Sequence, residues 1–354
     1  MEINMSISNK NSGYFNRIYT LVILTLEWLI IGFSYQNNDF DTYQLMYNTV
    51  NNLGIHTYTG LEIGQRFLYK LGGDFGLTYY QFVGFYTLVA IVILWAGLRK
   101  ITNNVGLTLT IYFIFPFIYD VTQVRNFFAL CLMVFAFHFL LNDGFKRSIL
   151  PYCSIILLAG LIHSISFFYI IFLLTKIKKI RSIYWITILL ALIAAITFKL
   201  FNSLSYALIV NKLATYSNVD ATPFSYKILY AIIFLINILI LYFVYQLSLN
   251  GKDLKLQNNL LTIYKASILL IICYPVVSID EVFFRIFRDF LILTYAAVTL
   301  ILSEKSYKLT LEKISVFCFT VFFALVNSYV WLFADGKYNS LVLPIFKYNF
   351  IFGR

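Results

Sequence analysis

The chain has 354 residues, 60% of them hydrophobic and 12% charged, with a formal net charge of +11. A soluble domain carries roughly 25% charged residues, so a water-facing surface cannot be covered here and the sequence reads as an all-α, polytopic integral membrane protein. The basic residues fall in short clusters between apolar runs rather than on one stripe, which argues against nucleic acid as a partner and makes them topology signals and phosphate contacts.

Residues 1–17 form a polar, cytoplasmic N-terminus. The apolar run from Ile18 to Tyr35 is too long for a signal-peptide core and has no small-residue cleavage site, so it is a retained first span. Crossing about 30 Å of hydrocarbon takes roughly 20 apolar residues. On that measure about nine full spans are predicted, near residues 18–35, 79–98, 105–121, 122–141, 183–201, 225–248, 260–278, 284–302 and 314–333, within a single transmembrane domain over 18–333. The basic clusters at Lys10 and Arg17, Arg99 and Lys100, Lys146 and Arg147, Lys176 to Arg181, Lys252 and Lys255, and Lys305 to Lys313 are cytoplasmic by the positive-inside rule.

That rule leaves the segment 149–175 flanked by basic clusters on both sides, although it is too short to cross twice. Each α-helical half reaches only about 20 Å, so the expectation is a re-entrant pair of short helices turning near His163-Ser164, with one long tilted helix as the competing reading. Residues 36–78 form a large outer loop rich in aromatics, and residues 202–224, with Lys212 and Asp220, form a second. Loops of this length are usually functional or disordered, and recurring aromatics argue against disorder. The tail over 334–354 is too short and polar to span again and is expected to be extracytoplasmic.

The four cysteines, Cys131, Cys153, Cys273 and Cys318, sit in apolar runs without paired spacing and read as small buried hydrophobes. No nucleotide-binding loop, HExxH or GxSxG occurs, which argues against an ATP-driven transporter. Chemistry is therefore sought among charged residues at the outer span ends.

Arg125 opens an apolar run, where an arginine at membrane depth costs about 2.5 to 3.5 kcal/mol unless it faces a wet cavity or an anion. It either snorkels to the headgroups or clamps an anion, since its planar fork matches phosphate oxygens. Arg285 and Arg288 share a helical face, and Asp289 stands four residues from Arg285, in reach of an internal ion pair. Asp280 and Glu281 lie close by in sequence, and together the three arginines suffice to neutralise a pyrophosphate.

His163, at the proposed turn, is either a hydrogen-bonded core residue or a base that Ser164 or Ser166 orients. His138 and His56 read as structural. Asp41 and Glu62 are solvated carboxylates or, in a sugar-handling site, hydroxyl ligands and proton acceptors, with tyrosines stacking on the rings. Glu27, inside the first span, is expected to face the bundle.

Several of these residues occur in order: Asp41-Thr42-Tyr43 with Tyr47, then Glu62, Arg125-Asn126-x-x-Ala129, Lys146-Arg147 and His163-Ser164-Ile165-Ser166. The chain thereby resembles the EpsG family of Wzy-like polysaccharide polymerases, in which D-Y-x-x-Y, a Glu-containing outer loop, R-Q-x-x-A and H-x-S follow in that sequence. The likeness covers roughly residues 40–175. Asn126 stands where the family usually has Gln, Thr42 separates Asp41 from Tyr43, and no Pro follows Glu62.

The resemblance implies polymerisation of undecaprenyl-pyrophosphate-linked oligosaccharide repeat units into capsular or exopolysaccharide at the outer face of a bacterial plasma membrane. It implies His163, Arg125, Glu62 and Asp41 as catalytic residues. Arg285, Arg288, Tyr43, Tyr47, Asn126, Arg66 and Ser164 would contact substrate. No cofactor and no metal are expected, and a flippase and a chain-length regulator are candidate partners. A lipid-linked oligosaccharide flippase, a glycan ligase and an acyltransferase are the alternatives. A flippase should show inverted halves with broken helices in equivalent places, and an acyltransferase should keep its histidine on the cytoplasmic side.

Overall fold

The computed structural model describes residues 9–35, 39–57, 61–204, 223–278, 280–303, 310–334 and 336–353. Among the described residues the chain is an all-α bundle in which eight helices are long and apolar enough to cross a membrane. Helix α1 (Asn9–Phe33) runs the height of the bundle beside α4 (Tyr79–Ile101). At one end Trp28 Nε1 donates to the Gly84 carbonyl at 3.0 Å, and at the other Asn16 Nδ2 donates to the Asn103 carbonyl at 3.0 Å. The sequence sets the ends of α4: Thr78 and Gln81 form a capping box at its start, and Arg99 and Lys100 complement the helix dipole in its last turn.

The expected span over 105–121 is not one helix. It is divided into α5 (Val105–Ile114) and α6 (Phe117–Thr122) at Phe115-Pro116. Proline lacks the N–H a helix needs and pushes the preceding residue out of the helical region, and Phe115 is extended at φ −162° and ψ 131°. Helix α5, with 10 residues, rises only about 15 Å. Helix α7 (Val124–Leu140) has 17 residues, about 25 Å, so the span expected at 122–141 is also short, with Arg125 in its first turn.

The segment 149–175 folds as a hairpin. Helix α8 (Leu150–Ile162) stops at His163, which is extended, and a 3-10 helix runs from Ser164 to Lys176. The arms are antiparallel: the Tyr152 hydroxyl donates to the Tyr169 carbonyl at 2.5 Å, and Lys176 Nζ donates to the Asn142 carbonyl. Gly160 is in van der Waals contact with the Phe167 ring, leaving no room for a side chain there. The turn lies at His163-Ser164, and both basic flanks return to one end of the bundle.

The arms are longer than a purely α-helical count from residue 149 gives. Phe145–Ile162 is 18 residues, about 27 Å, and the 13-residue 3-10 helix rises about 26 Å at its steeper pitch. The tip therefore reaches the end of the bundle occupied by residues 39–78. Cysteines replacing the exposed Arg147 and Arg181, in a cysteine-free background, are expected to label from the cytoplasm, and one replacing Asp41 from outside. Reaction of positions 147 and 181 on opposite faces would contradict the hairpin topology.

The 36–78 loop carries two helices of its own, α2 (Phe40–Leu53) and α3 (Ile63–Asp74). They are pinned to the start of α4 by a cluster of Tyr47, Tyr69, Tyr79 and Phe82 rings at 5.2 to 6.4 Å. The tail returns to the same end, where Tyr35 N donates to the Tyr348 carbonyl at 2.9 Å and Phe350 N to the Phe33 carbonyl at 3.0 Å. The second outer loop, expected at 202–224, falls almost wholly outside the described residues.

The remaining helices are α9 (Ile180–Leu204), α10 (Phe224–Leu249), α11 (Leu254–Leu269), the short α12 (Tyr274–Val277), α13 (Phe284–Ser303), α14 (Leu311–Ser328) and α15 (Leu343–Lys347). Of these α13 is almost entirely buried and carries Arg285 and Arg288 at the end nearest the hairpin tip. Glu27 faces the bundle interior, fully buried, as expected. Cys131 and Cys273 are buried, Cys153 is half-buried and Cys318 is exposed on α14.

Candidate active site

Glu62 is the hub where three elements meet. It stands at the N-cap of α3 in an extended conformation, yet its side chain makes no cap bond to its own helix. Its carboxylate points away, toward the hairpin tip and α7. Arg125 Nη1 donates to Glu62 Oε2 at 2.8 Å, while Ser164 donates to Glu62 Oε1 through Oγ at 2.8 Å and through its backbone N–H at 3.3 Å. Glu62 thus caps the first turn of the 3-10 helix from outside. The side chains are only 11% and 15% exposed for Glu62 and Arg125, so the charge-assisted bond works in a poorly solvated setting. The Arg125 guanidinium also lies 4.9 Å from the centre of the Tyr43 ring, a cation–π contact.

The close approach of α3 to the tip depends on Gly64. A Cβ there would meet the Leu161 carbonyl oxygen at 2.6 Å. Gly64→Ala is expected to push α3 off the tip, lengthen the Glu62 to Ser164 and Arg125 contacts and reduce activity about 10²-fold, as a roughly 1 Å misplacement of reacting groups does. Full activity in Gly64→Ala, measured at matched membrane levels, would show that the contact is dispensable.

His163 lies between two groups of opposite charge. Its Nδ1 is 3.9 Å from Glu62 Oε1, too long for a hydrogen bond but close enough to be oriented by it. Its Nε2 is 3.3 Å from Arg285 Nη1. An arginine N–H can only donate, so Nε2 is the acceptor and the ring is neutral with its proton on Nδ1, facing Glu62. Burial pushes the His163 imidazole below its ordinary value, assisted by Arg125 and Arg285 and opposed by Glu62. For Glu62 burial acts upward, but the neighbouring imidazole, Arg125 and Ser164 outweigh it and hold the carboxyl well below the usual range. Glu62 is therefore a permanent anion, and His163 a neutral imidazole with a lone pair on Nε2.

The arginines of α13 extend the site. Arg285 and Arg288 share a face, as their spacing requires, and line a cavity of about 170 Å³ with Gln123, Tyr119, Lys337 and one carboxylate, Glu281, so its cations outnumber its anion. Arg288 Nη2 donates to Gln123 Oε1 at 3.1 Å, and its guanidinium lies 4.2 Å from the Tyr119 ring centre. The internal Arg285 to Asp289 pair does not form. Asp289 turns inward to accept Asn126 Nδ2 at 2.9 Å and the Tyr169 hydroxyl at 2.7 Å, because at full burial those donors satisfy both oxygens.

Several sequence-nominated residues lie elsewhere. Asp41 is exposed on the outer face of α2, whereas Asp39, at the α2 N-cap, is within electrostatic reach of Arg285 and Arg125 and bonds Tyr43. Tyr47 donates to the Leu77 carbonyl at 2.6 Å within the aromatic cluster, so it holds the loop together. Arg66 Nη1 donates to the Ile55 carbonyl at 2.7 Å and braces the turn after α2. Asn126 is committed to Asp289 and links α7 to α13. His138 is packed at the far end of α7 against Phe139, and His56 is exposed.

Among the described residues no three His, Cys, Asp or Glu side chains gather as a metal site. The arrangement joins a neutral imidazole whose Nε2 lone pair is held by Arg285, a carboxylate that orients it and a bank of cations beside it. Such a group can deprotonate a hydroxyl while the cations stabilise a departing polyanion. No curated protein and no solved structure shows significant similarity to the chain. The model of the EpsG family, a family of Wzy-like polymerases, matches residues 16–350, nearly the whole length and well beyond the segment that carries the short motifs. The chain belongs to the EpsG family.

Proposed function

We propose that the protein polymerises lipid-pyrophosphate-linked oligosaccharide repeat units into exopolysaccharide or capsule at the outer face of the bacterial plasma membrane, with His163 as base. The observation that carries this reading is the Glu62–His163–Arg285 contact series, which fixes the imidazole tautomer with Nε2 toward the cationic cavity. Membership of a polymerase family supplies the reaction class.

In the proposed step, a sugar hydroxyl of the incoming unit gives its proton to His163 Nε2 as its oxygen attacks the anomeric carbon of the growing chain. The bond from that carbon to the pyrophosphate oxygen breaks, and the electron pair leaves with the lipid pyrophosphate. Glu62 faces the imidazolium so formed across Nδ1. Arg285 Nη1 donates to Nε2, so its guanidinium must swing onto the pyrophosphate to free the base. Substrate binding and base activation are then a single event. The 170 Å³ cavity lies below the roughly 300 to 1,000 Å³ of a drug-sized pocket, so it takes the diphosphate and leaves the glycan outside. Arg288 and Lys337 join Arg285 in holding that charge in the cavity, with Arg125 bonded to Glu62 on the other side of His163, which removes the need for a resident metal.

A flippase reading is less well supported. Among the described residues helices break at Phe115-Pro116 and at His163 in the first half and at the 3-10 turn Leu270–Cys273 in the second, so the two halves do not carry matching sets of breaks. Proteoliposomes loaded with the lipid-linked unit are expected to yield polymer with a chelator present. Dependence on added magnesium would remove the arginine-only account, and translocated but unjoined units would remove polymerisation. Flippase and chain-length regulator partners belong to the same proposal.

A further inference from the structure

A second site lies at the opposite end of the bundle. A groove of about 1340 Å³ opens between α1 and α4 and is lined by Arg17, Leu21, Leu24, Trp28, Val92 and Arg99, among others. It runs from the two arginines inward to Trp28, about 17 Å along α1 at the rise of a helix. That is close to the depth of one leaflet, half of the roughly 30 Å hydrocarbon.

The mouth is fixed in place. The Arg99 guanidinium lies 4.5 Å from the Trp95 ring centre, and Asn16 Nδ2 bridges the Asn103 carbonyl at 3.0 Å and Asn104 Oδ1 at 3.2 Å. Among the described residues no Asp or Glu lines the groove, and Arg17 and Arg99 are the charged side chains in it. Below the mouth the walls are mainly leucine, isoleucine, valine and tryptophan, with Thr20 and Thr25 among them. Two guanidiniums above an apolar slot one leaflet deep match a single chemical class, a phosphodiester carrying fatty chains.

We propose that this groove binds one anionic glycerophospholipid, its phosphate on Arg17 and Arg99 and its chain reaching toward Trp28. Basic pockets between transmembrane helices recognise anionic headgroups by the same electrostatics. The site is remote from Glu62 and His163, since α4 carries Tyr79 and Phe82 at the candidate-site end and Arg99 at the other. It stands whether or not the catalytic assignment does.

Native mass spectrometry of the full chain in detergent, titrated with phosphatidylglycerol or phosphatidylcholine, tests the proposal. The wild-type protein should retain phosphatidylglycerol about thirtyfold more tightly, the factor expected of two arginines near a headgroup. Replacing both arginines, Arg17→Gln with Arg99→Gln, should bring the ratio to about one. Thr25→Trp, which fills the slot without touching either charge, should abolish retention of both lipids. Equal retention of the two lipids by the wild type, or a preference that survives both variants, would overturn the proposal. A lipid-free two-chain species that Thr25→Trp dissociates would instead make the groove an interface between copies and would equally overturn it.

Discussion

Replacing Arg125 with lysine is expected to lower polymer formation about 10²-fold or more, the effect of removing one preorganised donor from a developing anion. The guanidinium bonds Glu62 at 2.8 Å and lies against the Tyr43 ring at 4.9 Å, with Nε buried and without a hydrogen-bond partner. An ammonium can keep the contact with Glu62, but as a point charge it cannot serve a carboxylate and a phosphate in one plane. Because charge is conserved, membrane abundance should stay near wild type, which separates this variant from a folding defect. Wild-type chain lengths on a gel from an Arg125→Lys strain would contradict the clamp.

The second large effect is at His163. His163→Ala should cost about 10² to 10⁴ in rate, the usual contribution of a positioned base, and should leave single lipid-linked units intact but unjoined. His163→Gln should fail equally, since an amide can hydrogen-bond but cannot take the proton. The pH dependence follows in sign. The working form is the neutral ring, and burial pushes its pKa below the ordinary 6.5, so the rate should hold as pH falls through 6.5 and decline only below it. Arg285→Ala removes a cation next to Nε2, so the acid limb should move up. Glu62→Gln removes the anion beside Nδ1, so the limb should move down and the plateau rate should fall. Efficient polymer formation by His163→Gln would transfer the base role to Asp39.

What was legible in the sequence follows from which interactions are local. The hairpin turn at His163-Ser164 was readable from the basic clusters on either side, because insertion electrostatics act on the chain itself. Glu62, Arg125, His163 and Ser164 were nominated from motif order, and they converge within hydrogen-bond or contact distance. Asp41, which the D-Y-x-x-Y pattern points to, falls on the exposed side of α2. Helical phase favours Asp39, which stands four residues before Tyr43 and on its face.

Tyr47, Arg66 and Asn126 are correctly placed near the site in sequence but are spent on packing and bracing, a distinction only tertiary neighbours reveal. Lys337 carries no signal at all, since its place beside Arg285 and Arg288 depends on the tail folding back over the bundle. The span expected at 105–121 breaks at Pro116, because proline interrupts a helix locally whatever the hydropathy of its neighbours.

The central claim is that the Glu62, His163 and arginine cluster joins sugars and releases a lipid pyrophosphate. The most direct test is single-turnover stoichiometry with the purified protein in detergent, where no membrane sides exist and transport has no meaning. Supplied with the lipid-linked repeat unit, wild-type protein should release one lipid pyrophosphate for each glycosidic bond formed, and His163→Gln should bind the unit without forming either product. Binding by the wild type with no bond formed and no pyrophosphate released, in the presence or absence of added divalent metal, would contradict it.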